Sequence, residues 1–173
     1  MNYKALNNLA TMFFDSAEHF PQKPFLWAKR NGKYISGSYS ETKNKVQLLA
    51  DSLHQLGVEK GDRVVVVSEN RPEWVIADLA IISLGGITVP AYTTNTTDDH
   101  LYILDHSEAK IAIVSGDKLA MRLMNAMSKS ASCKTIISIE ELSSDVDRSL
   151  KHLDWSSLLA PRDKLSTDVL KEA

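Results

Sequence analysis

The 173 residues carry 20 Lys and Arg against 22 Asp and Glu, a formal net charge of −2, and 43% are hydrophobic. That balance excludes a largely disordered chain and offers no broad basic field for a nucleic-acid partner. The single cysteine, Cys133, excludes an intrachain disulfide and fits a reducing compartment.

Asp15 and Glu18 interrupt the apolar residues near the N-terminus, so this stretch does not read as a signal peptide. Leu9, Met12, Phe13, Ala17 and Phe20 recur at helical spacing and predict a helix over Asn7–Phe20, ended by Pro21 and Pro24. Two extended runs, 25–30 and 33–39, flank Asn31-Gly32, a pair that takes the positive φ angles of a tight hairpin turn. Lys23, Lys29, Arg30 and Lys33 flank the same turn and read as a solvated face.

Ser40 reads as the N-cap of a second helix, with Val46, Leu49, Leu53 and Leu56 on its apolar stripe and Gly57 as its left-handed stop. Val64 to Val67 form an unbroken apolar run, which implies a strand buried on both faces of a parallel sheet. Arg71-Pro72-Glu73 opens the next helix, because proline costs nothing in a first turn. Trp74, Ile76, Leu79 and Ile81 surround that helix with apolar groups, so it must be covered on more than one side.

Gly85-Gly86 ends it and Ile87–Ala91 returns as a strand, completing a β-α-β unit with an expected right-handed crossover. The stretch 75–92 contains Asp78, Gly85, Gly86 and Pro90, so it reads as buried helix and strand rather than a membrane span. A cytoplasmic protein with no transmembrane segment is the expectation.

Two further cycles follow. Thr97 caps a helix with Asp98 and Asp99 in its first turn, Ile111–Val114 is a strand, Asp117 caps a helix, and Thr135–Ile139 is another strand. The fold class is therefore α/β: a mostly parallel sheet flanked by helices, with an N-terminal β-hairpin. Beyond Glu140 the pattern weakens to one helical turn near Trp155–Leu159. Residues 161–173 read as a polar, frayed tail behind a domain over 1–160.

No constellation in these elements spells a reaction. A dinucleotide fold needs G-x-G-x-x-G after its first strand, and Ser68-Glu69-Asn70-Arg71-Pro72 stands there instead. Gly116-Asp117-Lys118 is the nearest approach to a phosphate loop, but Asp117 opposes an anion and a capped helix start accounts for the triplet. Asp98 and Asp99 are explained by the helix dipole. His100 and His106 do not share a helix face, and His19, His54 and His152 are scattered, so neither a two-histidine metal site nor a Ser/His/Asp set follows from spacing. Cys133 has no evident base nearby. The hydroxyl-rich loop Thr93–Thr97 follows the C-terminal end of a parallel strand, where it could touch a ligand or merely connect elements.

Certain words, in this order, resemble the start of an AMP-forming acyl-CoA synthetase of the long-chain fatty-acid–CoA ligase branch. They are Gly61-Asp62-Arg63-Val64, Asn70-Arg71-Pro72-Glu73-Trp74, the run from Gly85 to Thr96, and Tyr102-Ile103-Leu104-Asp105-His106-Ser107. The resemblance spans Leu9 to Leu159, and the Leu84–Pro90 segment matches a motif of structural role. It implies, for a complete enzyme, attack of a fatty carboxylate on ATP to give acyl-AMP and pyrophosphate, then displacement of AMP by CoA.

That family's working parts are a glycine-rich loop ending in Pro-Lys-Gly, a Thr-Glu pair for Mg2+, a ribose-binding Asp and a lysine on a C-terminal lid. None is found in these 173 residues. The resemblance therefore carries over no catalytic, cofactor-binding or metal residue. The expectation is the N-terminal fragment of such a ligase, with a partial AMP-binding domain over 1–160, inactive alone and binding none of ATP, Mg2+, CoA or fatty acid by itself.

The alternative is a non-enzymatic α/β interaction module that self-associates through an exposed sheet edge or complements a missing domain. A receiver or flavodoxin-like domain is a weaker rival, since Ser68 stands where a phosphoacceptor Asp would be.

Overall fold

A computed structural model describes residues 8–143, 147, 149–162, 164 and 165. The chain divides into two compact units, one built from 1–60, 71–85 and 161–173, the other from 61–70 and 86–160.

The first unit opens with α1 (Leu9–His19), whose N-cap Asn8 accepts the Thr11 N–H at 2.8 Å. The hairpin β1 (Pro24–Arg30) and β2 (Lys33–Ser38) follows, closed by Asn31 and Gly32 at φ 50° and 76°. A bulge between Pro24 and Leu26 breaks the strand alternation at Phe25, whose ring packs on Tyr39 and Phe13 at centroid distances of 4.4 and 5.3 Å.

Next comes α2 (Tyr39–Gln55), which begins at Ser38 rather than at the expected Ser40 cap. The Ser38 hydroxyl accepts the Glu41 N–H at 3.2 Å while the Glu41 carboxylate accepts the Ser38 N–H at 2.7 Å, a reciprocal capping box. Gly57 ends the helix at φ 86°, as its sequence position requires.

Helix α3 (Pro72–Ser83) carries proline at its first turn and packs against α1, α2 and β1. Ile76, Ala77, Leu79, Ala80 and Ile81 are all buried, which meets the demand of its all-round apolar surface.

The second unit is a five-stranded parallel sheet with order β4-β3-β5-β6-β7. Its strands are β3 (Arg63–Val67), β4 (Ile87–Ala91), β5 (Ile111–Val114), β6 (Thr135–Ser138) and β7 (Lys151–Asp154). The helices are α4 (Thr97–Ser107), α5 (Asp117–Lys129) and the short α6 (Trp155–Leu158).

Val65 and Val67 share one sheet face with Ala112, Val114 and Ile136, and this face forms a core with Leu104 of α4 and Leu119, Leu123 and Met127 of α5. Val64, Val66, Ile113 and Ile137, which alternate with them, are equally buried, as an unbroken apolar strand requires.

Strand β7 has no counterpart among the elements expected from sequence. It is a half-exposed edge strand of four residues, two of them charged, and it pairs on one side only. Two helix starts also shift by one residue. Thr96, not Thr97, caps α4, its hydroxyl accepting the Asp99 N–H at 3.2 Å, and Gly116, not Asp117, occupies the cap position of α5.

Candidate functional site

All five strands run the same way, so their C-terminal ends lie along one edge of the sheet. In such sheets ligands gather at that edge, chiefly where the strand order reverses direction. Here β3 leads to β4 on one side and β5 follows on the other, which puts the reversal between β3 and β5. The residues leaving these strands are Ser68 to Asn70 and Ser115 to Asp117. Ser115 is buried, and its N–H donates to the Val67 carbonyl at 3.1 Å, closing the gap between the strand ends.

Glycine at position 116 allows a close approach, and a carboxylate makes it. A methyl group at Gly116 would lie 2.7 Å from Oε2 of Glu140. The register delivers Glu140 there: the Ile139 N–H donates to the Val114 carbonyl at 2.9 Å and the Glu140 N–H to the Ser115 carbonyl at 2.9 Å. The Asp117 carboxylate accepts the Ser143 N–H at 3.0 and 3.1 Å and the Ser143 hydroxyl as well. Two carboxylates thus occupy the start of α5, where a phosphate group would need bare N–H donors. The triphosphate of ATP does not fit these residues.

Beside this point the ends of β6 and β7 open a cleft of about 220 Å³, lined by Glu140, Glu141, Asp154 and Trp155 among others. Drug-sized ligands occupy roughly 300–1,000 Å³, so this cleft is small as well as acidic. Among the described residues no group of three or more His, Cys, Asp or Glu side chains is placed to hold a metal ion.

Sequence spacing does not reveal the Ser138, His152 and Asp154 cluster at the β6–β7 ends, because the parallel pairing of these strands creates it. Ser138 Oγ lies 2.8 Å from His152 Nε2, and Asp154 Oδ1 lies 3.8 Å from the same nitrogen. A hydrolytic triad needs the serine and the aspartate on opposite ring nitrogens. Both partners crowd Nε2 here, so no proton relay is formed.

The loop 93–97 is held rather than free. Its Asn95 carbonyl accepts from Arg122 Nη1 at 2.9 Å, and Thr96 is engaged as the α4 cap. Asp99 is the reciprocal partner in that capping box. Hydrogen bonds from the Thr96 backbone and then from its hydroxyl hold its carboxyl below the usual range.

His100 is only 2% exposed, and its Nδ1 is buried with no hydrogen-bond partner among the described residues. Burial first, then the Arg122 charge, push its pKa down, against an opposing effect from Asp99. His106 stacks on Tyr102 with ring centroids 5.4 Å apart. His19 Nδ1 lies 2.8 Å from the Asp15 carbonyl. Cys133 is fully buried and burial pushes its thiol up to about 12, which keeps it protonated and inert at neutral pH.

Residues 13–168 match the family described as AMP-binding enzyme. The chain belongs to that family. Among its relatives is the long-chain-fatty-acid–CoA ligase FadD15 of Mycobacterium tuberculosis, 33% identical over 114 residues, which cover 66% of this chain and 19% of the relative. Long chain acyl-CoA synthetase 3 of Arabidopsis thaliana is 30% identical over 135 residues, covering 75% of this chain and 20% of the relative. The chain therefore spans about a fifth of the length of the curated relatives it matches.

A crystal structure of a variant coronafacic acid ligase from Pectobacterium brasiliense superposes with a TM-score of 0.80 at 18% identity, over 93% of this chain and 31% of that one. At that identity the likeness establishes the fold alone, which this chain shares with the part of that ligase it covers. No helix among the described residues is long and apolar enough to cross a membrane.

Proposed function

We propose that this AMP-binding family chain is the N-terminal part of a long-chain fatty-acid–CoA ligase. The whole enzyme would convert ATP, fatty acid and CoA into acyl-CoA, AMP and pyrophosphate. In this reading the 173 residues are the scaffold over 1–160 and a following tail, and they supply none of the groups that bind ATP, Mg2+ or CoA.

The observation that carries the reading is the alignment with long-chain ligases at 30–33% identity over 114 to 135 residues. The carboxylates of Glu140 and Asp117 at the start of α5 agree with it, because phosphoryl and adenylyl transfer depend on positive charge aimed at the phosphates. Isolated chain supplied with fatty acid, MgATP and labelled pyrophosphate should form no labelled ATP above a protein-free blank. Fatty-acid-dependent exchange by the purified chain would overturn the inactivity.

A second reading has one observation in its favour. β4 is an edge strand of the parallel sheet, and Ile87 on it is exposed. An unpaired edge can recruit another strand, so a non-catalytic module that self-associates there, or complements a separate domain, is the alternative. Pro90 on the same strand removes one N–H from that edge and blunts it, which favours the ligase reading.

A further inference from the structure

The hairpin carries more than its turn chemistry explains. Residues 21–40 contain four cations, Lys23, Lys29, Arg30 and Lys33, and no carboxylate, in a chain whose net charge is −2. Every residue from 29 to 36 is exposed, so the turn end projects from the first unit. Trp27 is 57% exposed and Tyr34 is 71% exposed.

The register explains why these two rings point the same way. Trp27 pairs with Ser36 and Lys29 with Tyr34, so all four lie on one face. Ala28 pairs with Ile35 and Arg30 with Lys33 on the other face. On that second face Arg30 Nη2 donates to Glu73 Oε1 on α3 at 3.3 Å, while Ile35 is 55% exposed. Trp27, Lys29, Tyr34 and Ser36 thus form one exposed face, and Lys33, which belongs to the other face and is also exposed, stands at the turn. At the base, Lys23 Nζ sits 4.3 Å from the ring centroid of Phe20, which is itself exposed.

We propose that this hairpin docks the protein on an anionic lipid surface. Amphipathic rings settle at the headgroup level of a bilayer, with the apolar body inward and the polar tip in water. Lysines beside them gain from the negative surface potential, by about fivefold in affinity per charge. A second copy of this chain is a poor occupant, because it would set Lys29 and Lys33 against the same cations. A single-stranded nucleic acid is held in a basic groove, whereas this element projects. The proposal rests on the hairpin alone and stands whether or not the ligase reading does.

The full chain should sediment with vesicles of phosphatidylcholine mixed with phosphatidylglycerol, not with phosphatidylcholine alone, and added salt should release it. Lys29→Gln with Lys33→Gln should weaken binding by about twenty-fivefold, from the same per-charge estimate. Trp27→Phe keeps an apolar ring and should still bind. Brominated lipid should quench the tryptophan emission of the parent chain far more than that of this variant, because Trp155 is buried and Trp74 partly so.

Equal binding to both vesicle types would overturn the proposal, as would no binding at low salt. So would quenching that survives Trp27→Phe, or a dimer in light scattering that Trp27→Ser abolishes.

Discussion

His100 shows how this fold decides the charge of a single side chain. The imidazole is buried near the start of α4 although Asp98 and Asp99 before it are exposed, with the Arg122 cation close enough to disfavour a second positive charge. The unfolded chain protonates it near its ordinary value of 6.5, while the folded chain resists. A depressed histidine pKa means that the unfolded state binds more protons below 6.5. The stability His100 contributes is therefore complete above pH 6.5 and declines as the pH falls below it, until the folded pKa is passed. The steepest slope for one such group is about 1.4 kcal/mol per pH unit. Urea midpoints measured across that window should fall with acid in the parent and fall less in His100→Leu, the difference isolating this side chain. Parallel curves for the two proteins would show that His100 protonates as freely in the fold as outside it.

Among the elements, legibility followed how local the determining physics is. The Asn31-Gly32 turn, the Gly57 stop, the Pro72 helix start and the valine strand β3 depend on neighbours a few residues away, and the structure has all four. The caps lie at Ser38 and Thr96 rather than at the expected Ser40 and Thr97, although a local signal for them stands in the sequence, the spacing to an acid. Ser38 stands three residues before Glu41 and Thr96 three before Asp99, whereas Ser40 and Thr97 have no acid at that distance. The carboxylate over Gly116 was not legible, since only the β5–β6 register brings Glu140 to it. Nor was β7, because a short polar edge strand lacks the apolar run that announces a buried one. The cap assignment has a direct consequence. Ser38→Ala should cost about 1 kcal/mol of stability, typical of a lost N-cap. Ser40→Ala, inside the first turn of α2 and exposed, should change the urea midpoint hardly at all. Equal losses at the two positions would mean that the capping box contributes nothing.

At the scale of the whole chain, the first unit is assembled from three separate visits of the backbone, the last beginning at Pro161. A segment arriving so late needs an attachment, and Arg162 provides one. Its Nη1 pairs with Asp51 Oδ2 on α2, 111 positions earlier, and its Nη2 donates to the Ser52 hydroxyl at 2.6 Å. The Asp51 side chain is fully buried, and its Oδ2 also accepts from Gln55 Nε2 at 2.9 Å. Removing one partner of a buried pair costs about 3–5 kcal/mol, because the remaining charge stays desolvated. Arg162 is about a quarter exposed at its side chain, so solvent softens the loss and about 2–3 kcal/mol is expected for Arg162→Met. Replacing both partners, as Asp51→Leu with Arg162→Met, removes the stranded charge along with its counter-ion. That double variant should therefore lose less than the sum of the two single losses when all three are compared by urea denaturation. Strict additivity would mean that the two side chains do not interact, and that something other than this ion pair holds the returning segment to α2.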